Sequence, residues 1–320
     1  MNVERQIIAE KMIPAITLFC KSYSGDLLRA VRLIKSIGRY NSDGLPFFLS
    51  VPERDLALFS RKIDELGTNV ELLTDQEIIK SNPLGTAELY SLLDGRQSQQ
   101  VIKSEFWRFW LQKKPSSHNL VYVCIDSDSE FIRNFYRHDF VNAEGIPFTV
   151  CHDNEELLSI SRLKNKKKVE INFRKDCASM KEVFGREGPD YAFSPTPAIW
   201  SSLVWKDLDE RYLKPKKLSF WDAIIGCPNE LHWYGEALLH YRSIPLIPVG
   251  PLFRVYHYDW EYFLRTKNGE NLDKLKENFL GVVKQSNWDF ELDYAAQRDK
   301  KSASSRFFRV FKRWFRERFS

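Results

Sequence analysis

The feature with the clearest chemical capacity is the triplet Asp126-Ser127-Asp128. It follows directly on Leu120 to Ile125 (LVYVCI), a continuous apolar run with the length and the valines of a central β-strand. In an ordinary loop a D-x-D triplet is usually a solvated turn or a cap. At the carboxyl end of a buried strand it stands where open α/β sheets bind their ligands. Two carboxylates there can hold a hard divalent cation, Mn²⁺ or Mg²⁺, through oxygen, and such a cation can bridge two phosphates and neutralise charge on a departing diphosphate.

Three further places carry groups with chemical potential. Gln99, Lys103, Phe106 and Trp110 fall at i, i+4, i+7 and i+11, one helical stripe whose polar end leads. Pro228-Asn229-Glu230 reads as a helix start with Asn229 as N-cap, so Glu230 sits in a first turn where its negative charge is stabilised. His257 stands among aromatic residues in the segment Arg254 to Trp260, a setting in which a histidine is more often packed than reactive. The five cysteines are odd in number and form no C-x-x-C pair, so neither a disulfide framework nor a zinc site is indicated, and a reducing compartment is expected. A glycine-rich P-loop and a G-x-G-x-x-G fingerprint are both missing from the sequence.

The elements that must position these groups follow an alternating pattern. Ala15 to Tyr23 reads as a buried strand, and Leu27 to Ile37 as an amphipathic helix. Pro46 to Val51 is a second strand, Glu53 to Leu66 a charged helix, and Val70 to Leu73 a third strand. Strand, helix, strand, helix, strand is the signature of a parallel sheet with right-handed crossovers. A helix over Ser98 to Leu111 then leads to the strand before Asp126. Beyond it the order is harder to read: a basic run at Lys164 to Lys168 is followed by Pro- and Trp-rich sequence from Pro189 to Trp205.

Charge is distributed unevenly. The net charge is +5, but Arg306, Arg309, Lys312, Arg313, Arg316 and Arg318 lie close to the end of the chain with Glu317 as their only acidic neighbour. Setting these apart leaves 42 of the 48 basic residues against 42 of the 43 acidic ones, which argues against a nucleic-acid-binding body. On a helix, Phe307, Phe308, Phe311, Trp314 and Phe315 gather on one side and Arg309 and Arg313 on the other, the pattern of a helix lying in the headgroups of anionic lipid. The start of the chain does not read as a signal peptide, and no stretch approaches a membrane span. A cytoplasmic protein, peripheral on the inner face of the cytoplasmic membrane, is expected.

From about residue 13 to residue 259 the chain resembles the GT-A glycosyltransferases, especially bacterial members linked to polysaccharide and lipopolysaccharide assembly. The carriers are AITLFCKSY, QQVIKSEFWRFWL, VYVCIDSD, CPNELHWYGEALLHY and FRVYHYDW. The second and third also resemble the K-S-D-x-x-R helix and D-x-D strand of one sugar-transferase branch, with Glu105 standing where that branch has aspartate.

The resemblance implies an α/β fold with a mixed, mainly parallel sheet flanked by helices. A single catalytic domain would fill 1–301, with a nucleotide-sugar half at about 13–130 and an acceptor half at about 131–301, followed by the tail 302–320. It implies donor contacts from Lys21, Ser22, Gln99, Lys103, Arg108, Asp126 and Ser127, and a metal held by Asp126, Asp128 and His257. A UDP-sugar is the favoured donor, and a glycan or lipid-linked glycan the acceptor. An inverting transfer needs a base, for which Glu230 is first candidate, with Glu236 and Asp222 in reserve. Trp200, Trp221 and Trp233 could wall an acceptor site or fill the core. The rivals are a sugar-phosphate nucleotidyltransferase and a catalytically silent module that binds a nucleotide-sugar at the membrane.

Overall fold

The computed structural model describes residues 14–85, 95–115, 117, 119–163, 165–193 and 197–285. The tail at 302–320, with the expected membrane contacts Phe307, Phe308, Arg309, Phe311, Arg313, Trp314 and Phe315, lies outside the described residues. In chain order the elements are β1 (Ala15–Lys21), α1 (Leu27–Tyr40), β2 (Phe47–Val51), α2 (Leu56–Leu66), β3 (Glu71–Thr74), α3 (Asp75–Lys80), α4 (Gly95–Lys113), β4 (Leu120–Cys124) and β5 (Ser129–Phe131). There follow β6 (Thr149–Val150), α5 (Glu155–Leu163), α6 (Lys167–Phe184), β7 (Ala198–Ser201), α7 (Ser202–Leu208), α8 (Phe220–Gly226) and α9 (Glu230–Tyr241). The last are β8 (Pro248–Val249), β9 (Phe253–Tyr256), α10 (Asp259–Lys267), α11 (Leu272–Asn278) and β10 (Gly281–Lys284).

The central sheet runs β3-β2-β1-β4-β7. Its first four strands are parallel, and β7 closes the edge antiparallel to β4, with Val121 opposite Ser201. The expected mixed, mainly parallel sheet is therefore observed. A side-chain period of two divides each central strand between two cores. Ile16, Leu18 and Cys20 of β1 join Val121 and Val123 of β4 on the face covered by α1 and α2. Phe19 joins Tyr122 on the face covered by α4, α7, α8 and α9.

The long helix α4 is held by its inward aromatic residues. Phe106 stacks on Phe19 with ring centroids 4.1 Å apart and meets Tyr122 edge-on at 5.4 Å. The Tyr122 hydroxyl donates to the main-chain oxygen of Lys103 at 3.0 Å, which fixes this turn of α4 against β4. Trp200, Trp221 and Trp233 are buried in the same core, so they do not form an acceptor wall.

A second sheet, β5-β10-β9, begins immediately after the D-x-D triplet. Gly281 in its middle strand is required by crowding, because a Cβ there would stand 2.5 Å from the Phe253 ring and 2.6 Å from the Glu130 carbonyl oxygen.

Candidate active site

β1 to β4 deliver their carboxyl ends to one edge of the sheet, and the turns leaving that edge carry most of the polar groups of interest. At the end of β1, Lys21 is buried and pairs with Asp75 at 2.9 Å. Asp75 also accepts from the Ser50 hydroxyl at the end of β2 at 2.6 Å. Thr74 and Glu77 form a capping box that starts α3 at Asp75, so the carboxylate lies in a first helical turn, where negative charge is favoured. The next residue after Lys21, Ser22, is buried, and its hydroxyl has no hydrogen-bond partner among the described residues.

The centre of the site lies at the end of β4. The Lys103 ammonium, reaching from α4, donates to Asp126 Oδ1 at 2.6 Å and to Glu230 Oε1 at 3.4 Å. One buried cation thus joins the first aspartate of the triplet to the first residue of α9, a helix that starts 127 positions after Lys103. Glu230 is in place because Asn229 caps the helix, its side chain accepting from His232 N at 3.2 Å.

Burial alone would lower the pKa of Lys103, but Asp126 and then Glu230 outweigh it and hold the ammonium well above its usual value. Glu230 moves the other way from an ordinary carboxylate. Burial raises it, Lys103 pulls it back in part, and Asp126 raises it further, leaving it above the usual range.

Gln99 lies one helical turn before Lys103 and is half-buried. Ser127 is buried, and its hydroxyl stands 3.5 Å from Asp26 Oδ2, with Asp26 in turn paired to Arg29. Asp128 leads into β5, and its carbonyl accepts from Lys284 N at 3.2 Å.

The other expected residues have partners of their own outside the Lys103 bridge. His257 follows β9, which is separated from β5 by β10. Its Nδ1 is 3.1 Å from Gln285 Oε1, its main-chain N–H donates to Glu261, and burial lowers its pKa. Arg108 lies about 140° around α4 from Lys103. It pairs with Glu105 at 2.7 Å and Asp209 at 2.5 Å, while Asn82 holds the other Glu105 oxygen. Neither reserve base is available: Glu236 receives a two-point contact from Arg186, and Asp222 completes the capping box of Ser219.

Among the described residues, no group of three or more His, Cys, Asp or Glu side chains is arranged to hold a metal ion. A Mg²⁺-type site does not require one, since such ions usually take one or two carboxylates and complete their shell with water and substrate phosphate. The triplet offers two carboxylates, Asp126 and Asp128, the first of them already engaged by Lys103. Two carboxylates, Asp126 and Glu230, share the one ammonium of Lys103.

No family model matches the sequence, and no curated protein matches it. Solved structures do. The apo structure of WbbM, a bifunctional glycosyltransferase, aligns at a TM-score of 0.47 and 10% identity over 84% of this chain and 45% of its own. The apo form of mouse xyloside xylosyltransferase 1 aligns at 0.43 and 9% over 86% of this chain and 99% of its own. The chain thus spans less than half the length of the first.

Proposed function

We propose that the protein is a glycosyltransferase that moves a sugar from a nucleotide-sugar, a UDP-sugar first, to a hydroxyl of a glycan or lipid-linked glycan. The observation that carries this reading is the Lys103 bridge between Asp126, at the end of β4, and Glu230, at the start of α9. It supports the reading because a carboxylate of the triplet and a buried carboxylate share one cation.

The donor would lie outside the carboxyl ends of β1 to β4, the crevice that open sheets offer to nucleotides. The Lys21, Asp75 and Ser50 network makes the floor of that crevice rigid. Mn²⁺ or Mg²⁺ would be held by Asp126 and Asp128 and, when bound, would neutralise charge on the leaving diphosphate.

Glu230 is the base. Its raised pKa brings its proton affinity closer to that of the group it must deprotonate, and the hydrogen bond from Lys103 fixes its direction. In the transfer the acceptor oxygen bonds to the anomeric carbon as the bond from that carbon to the phosphate oxygen breaks. The hydroxyl proton passes to Glu230, and the nucleoside diphosphate leaves. A single displacement of this kind inverts the anomeric centre.

The tail at 302–320 supplies contact with the inner face of the cytoplasmic membrane in this reading and brings the site to a lipid-linked acceptor. No helix of the described residues is long and apolar enough to cross a membrane.

A thermal-shift screen of UDP-, GDP-, TDP- and CMP-sugars, with and without Mn²⁺, tests the proposal on wild type and on Asp126→Ala/Asp128→Ala. A stabilisation by one donor class that needs the cation and is lost in the double variant is the expected result. No shift with any nucleotide-sugar would overturn the reading.

A further inference from the structure

One cleft is lined by none of the residues around Asp126. It has a volume of about 410 Å³, and Arg162, Asn165, Lys166, Lys167 and Ile171 line it at the turn between α5 and α6. Asn165 adopts the left-handed conformation (φ 52°) and turns the chain back, with the Lys166 N–H donating to the Ser161 carbonyl at 2.8 Å.

Two properties of this hairpin tip are not needed for the fold. Leu163 and Ile171, on either side of the turn, are 77% and 61% exposed, the highest values among the large hydrophobic residues described. Around them Lys166, Lys167, Lys168 and Lys175 are exposed. Lys168, Ile171 and Lys175 fall at i, i+3 and i+7 on one face of α6.

The carboxylates beside the turn are already engaged by arginines. Arg162 pairs with Glu155 and Glu170, and Arg174 pairs with Glu170 and Asp190. Lys166 lies over the Tyr258 ring, and Lys167, Lys168 and Lys175 have no carboxylate partner among the described residues.

We propose that this hairpin tip docks on an anionic lipid bilayer, with Leu163 and Ile171 entering the headgroup layer and the lysines facing lipid phosphates. A soluble polyanion would satisfy the lysines but leave both aliphatic side chains in water, so the pairing of charge with exposed apolar surface favours a bilayer. The inference does not depend on the glycosyltransferase reading or on the tail.

The test is flotation of the full chain with phosphatidylcholine vesicles, with and without phosphatidylglycerol. Lys166→Gln/Lys167→Gln/Lys168→Gln and Leu163→Ser/Ile171→Ser are compared with wild type. Both are repeated in a chain carrying Arg309→Glu/Arg313→Glu, so that tail binding cannot mask the hairpin. All these positions in the hairpin are exposed, and an unchanged melting curve confirms folding. Each lysine near an anionic surface contributes roughly fivefold in partition, so the triple variant is expected to lose at least roughly tenfold. The Leu163/Ile171 variant is expected to lose a similar factor. Unchanged flotation of both variants in both tail backgrounds would overturn the proposal. So would a loss confined to the lysine variant, which would show charge contact alone, without entry of Leu163 and Ile171 into the headgroup layer.

Discussion

Replacing Lys103 with methionine tests the central arrangement most directly, because the side chain keeps its length and loses only the charge. In the wild type the 3.4 Å contact with Glu230 corresponds to an attraction of about 5 kcal/mol at an effective dielectric of about 20. Desolvation of the ammonium offsets a large part of this, and removing one partner of a buried pair typically costs a net 3–5 kcal/mol.

The structure also sets a ceiling. Without Lys103, Glu230 can escape its penalty by taking a proton, which from an unfolded-state pKa of about 4.3 costs about 4 kcal/mol at pH 7 and about 1 kcal/mol at pH 5. The sign is that of a group whose folded-state pKa is raised. The penalty is present above the folded pKa and vanishes as pH falls below the unfolded value. Asp126, a third exposed at its side chain, regains water and adds less.

Urea unfolding of Lys103→Met should therefore show a loss of about 3 kcal/mol at pH 7 that shrinks to about 1 kcal/mol at pH 5. Adding Glu230→Gln should restore most of it at neutral pH. A loss that is the same at both pH values, or a double variant no better than the single one, would refute a buried ion triad.

Four other outcomes are expected. Glu230→Gln should leave donor affinity near that of wild type in calorimetry and lower transfer at least roughly a hundredfold. The wild-type rate should fall as the medium is acidified through a midpoint above the ordinary carboxylate range, because protonated Glu230 cannot accept the acceptor proton. Arg108→Met breaks the buried contacts with Glu105 and Asp209 and should cost about 3 kcal/mol in urea unfolding while changing donor affinity less than roughly threefold. Deleting 302–320 should reduce sedimentation with anionic vesicles and leave the donor-induced thermal shift intact, measured on the same preparation.

The N-terminal half of the fold was legible because its signals are local. The mainly apolar runs at Ala15 to Lys21 and Leu120 to Cys124 have the length and composition of central strands with both faces covered, and both are buried strands. The later half was not legible for the same reason in reverse. β5, β6, β8 and β9 are two to four residues long, too short to show a period, and β7 joins the first sheet from a distant part of the chain. The D-x-D triplet was found by its place after a strand. Asp75, which anchors Lys21, could have been found from Thr74 and Glu77, a capping box directly after a predicted strand.

Lys103 and Glu230 show where such reading reaches its limit. The helical stripe put Lys103 in line with Phe106 and Trp110, and the N-cap identified Glu230 as a first-turn residue, but neither pattern contains the other's position. What joins them is packing: Phe106 seats α4 on Phe19 and Tyr122, while the Tyr234 hydroxyl oxygen of α9 accepts from the Ser201 N–H on the edge strand β7. Both helices are thereby referenced to the same sheet, and the ammonium meets the carboxylate without either helix being adjusted for it. A site fixed in this way is preorganised by hydrophobic contacts remote from the chemistry. Its charges can then be exchanged one at a time, as in Lys103→Met and Glu230→Gln, with the backbone that presents them left in place.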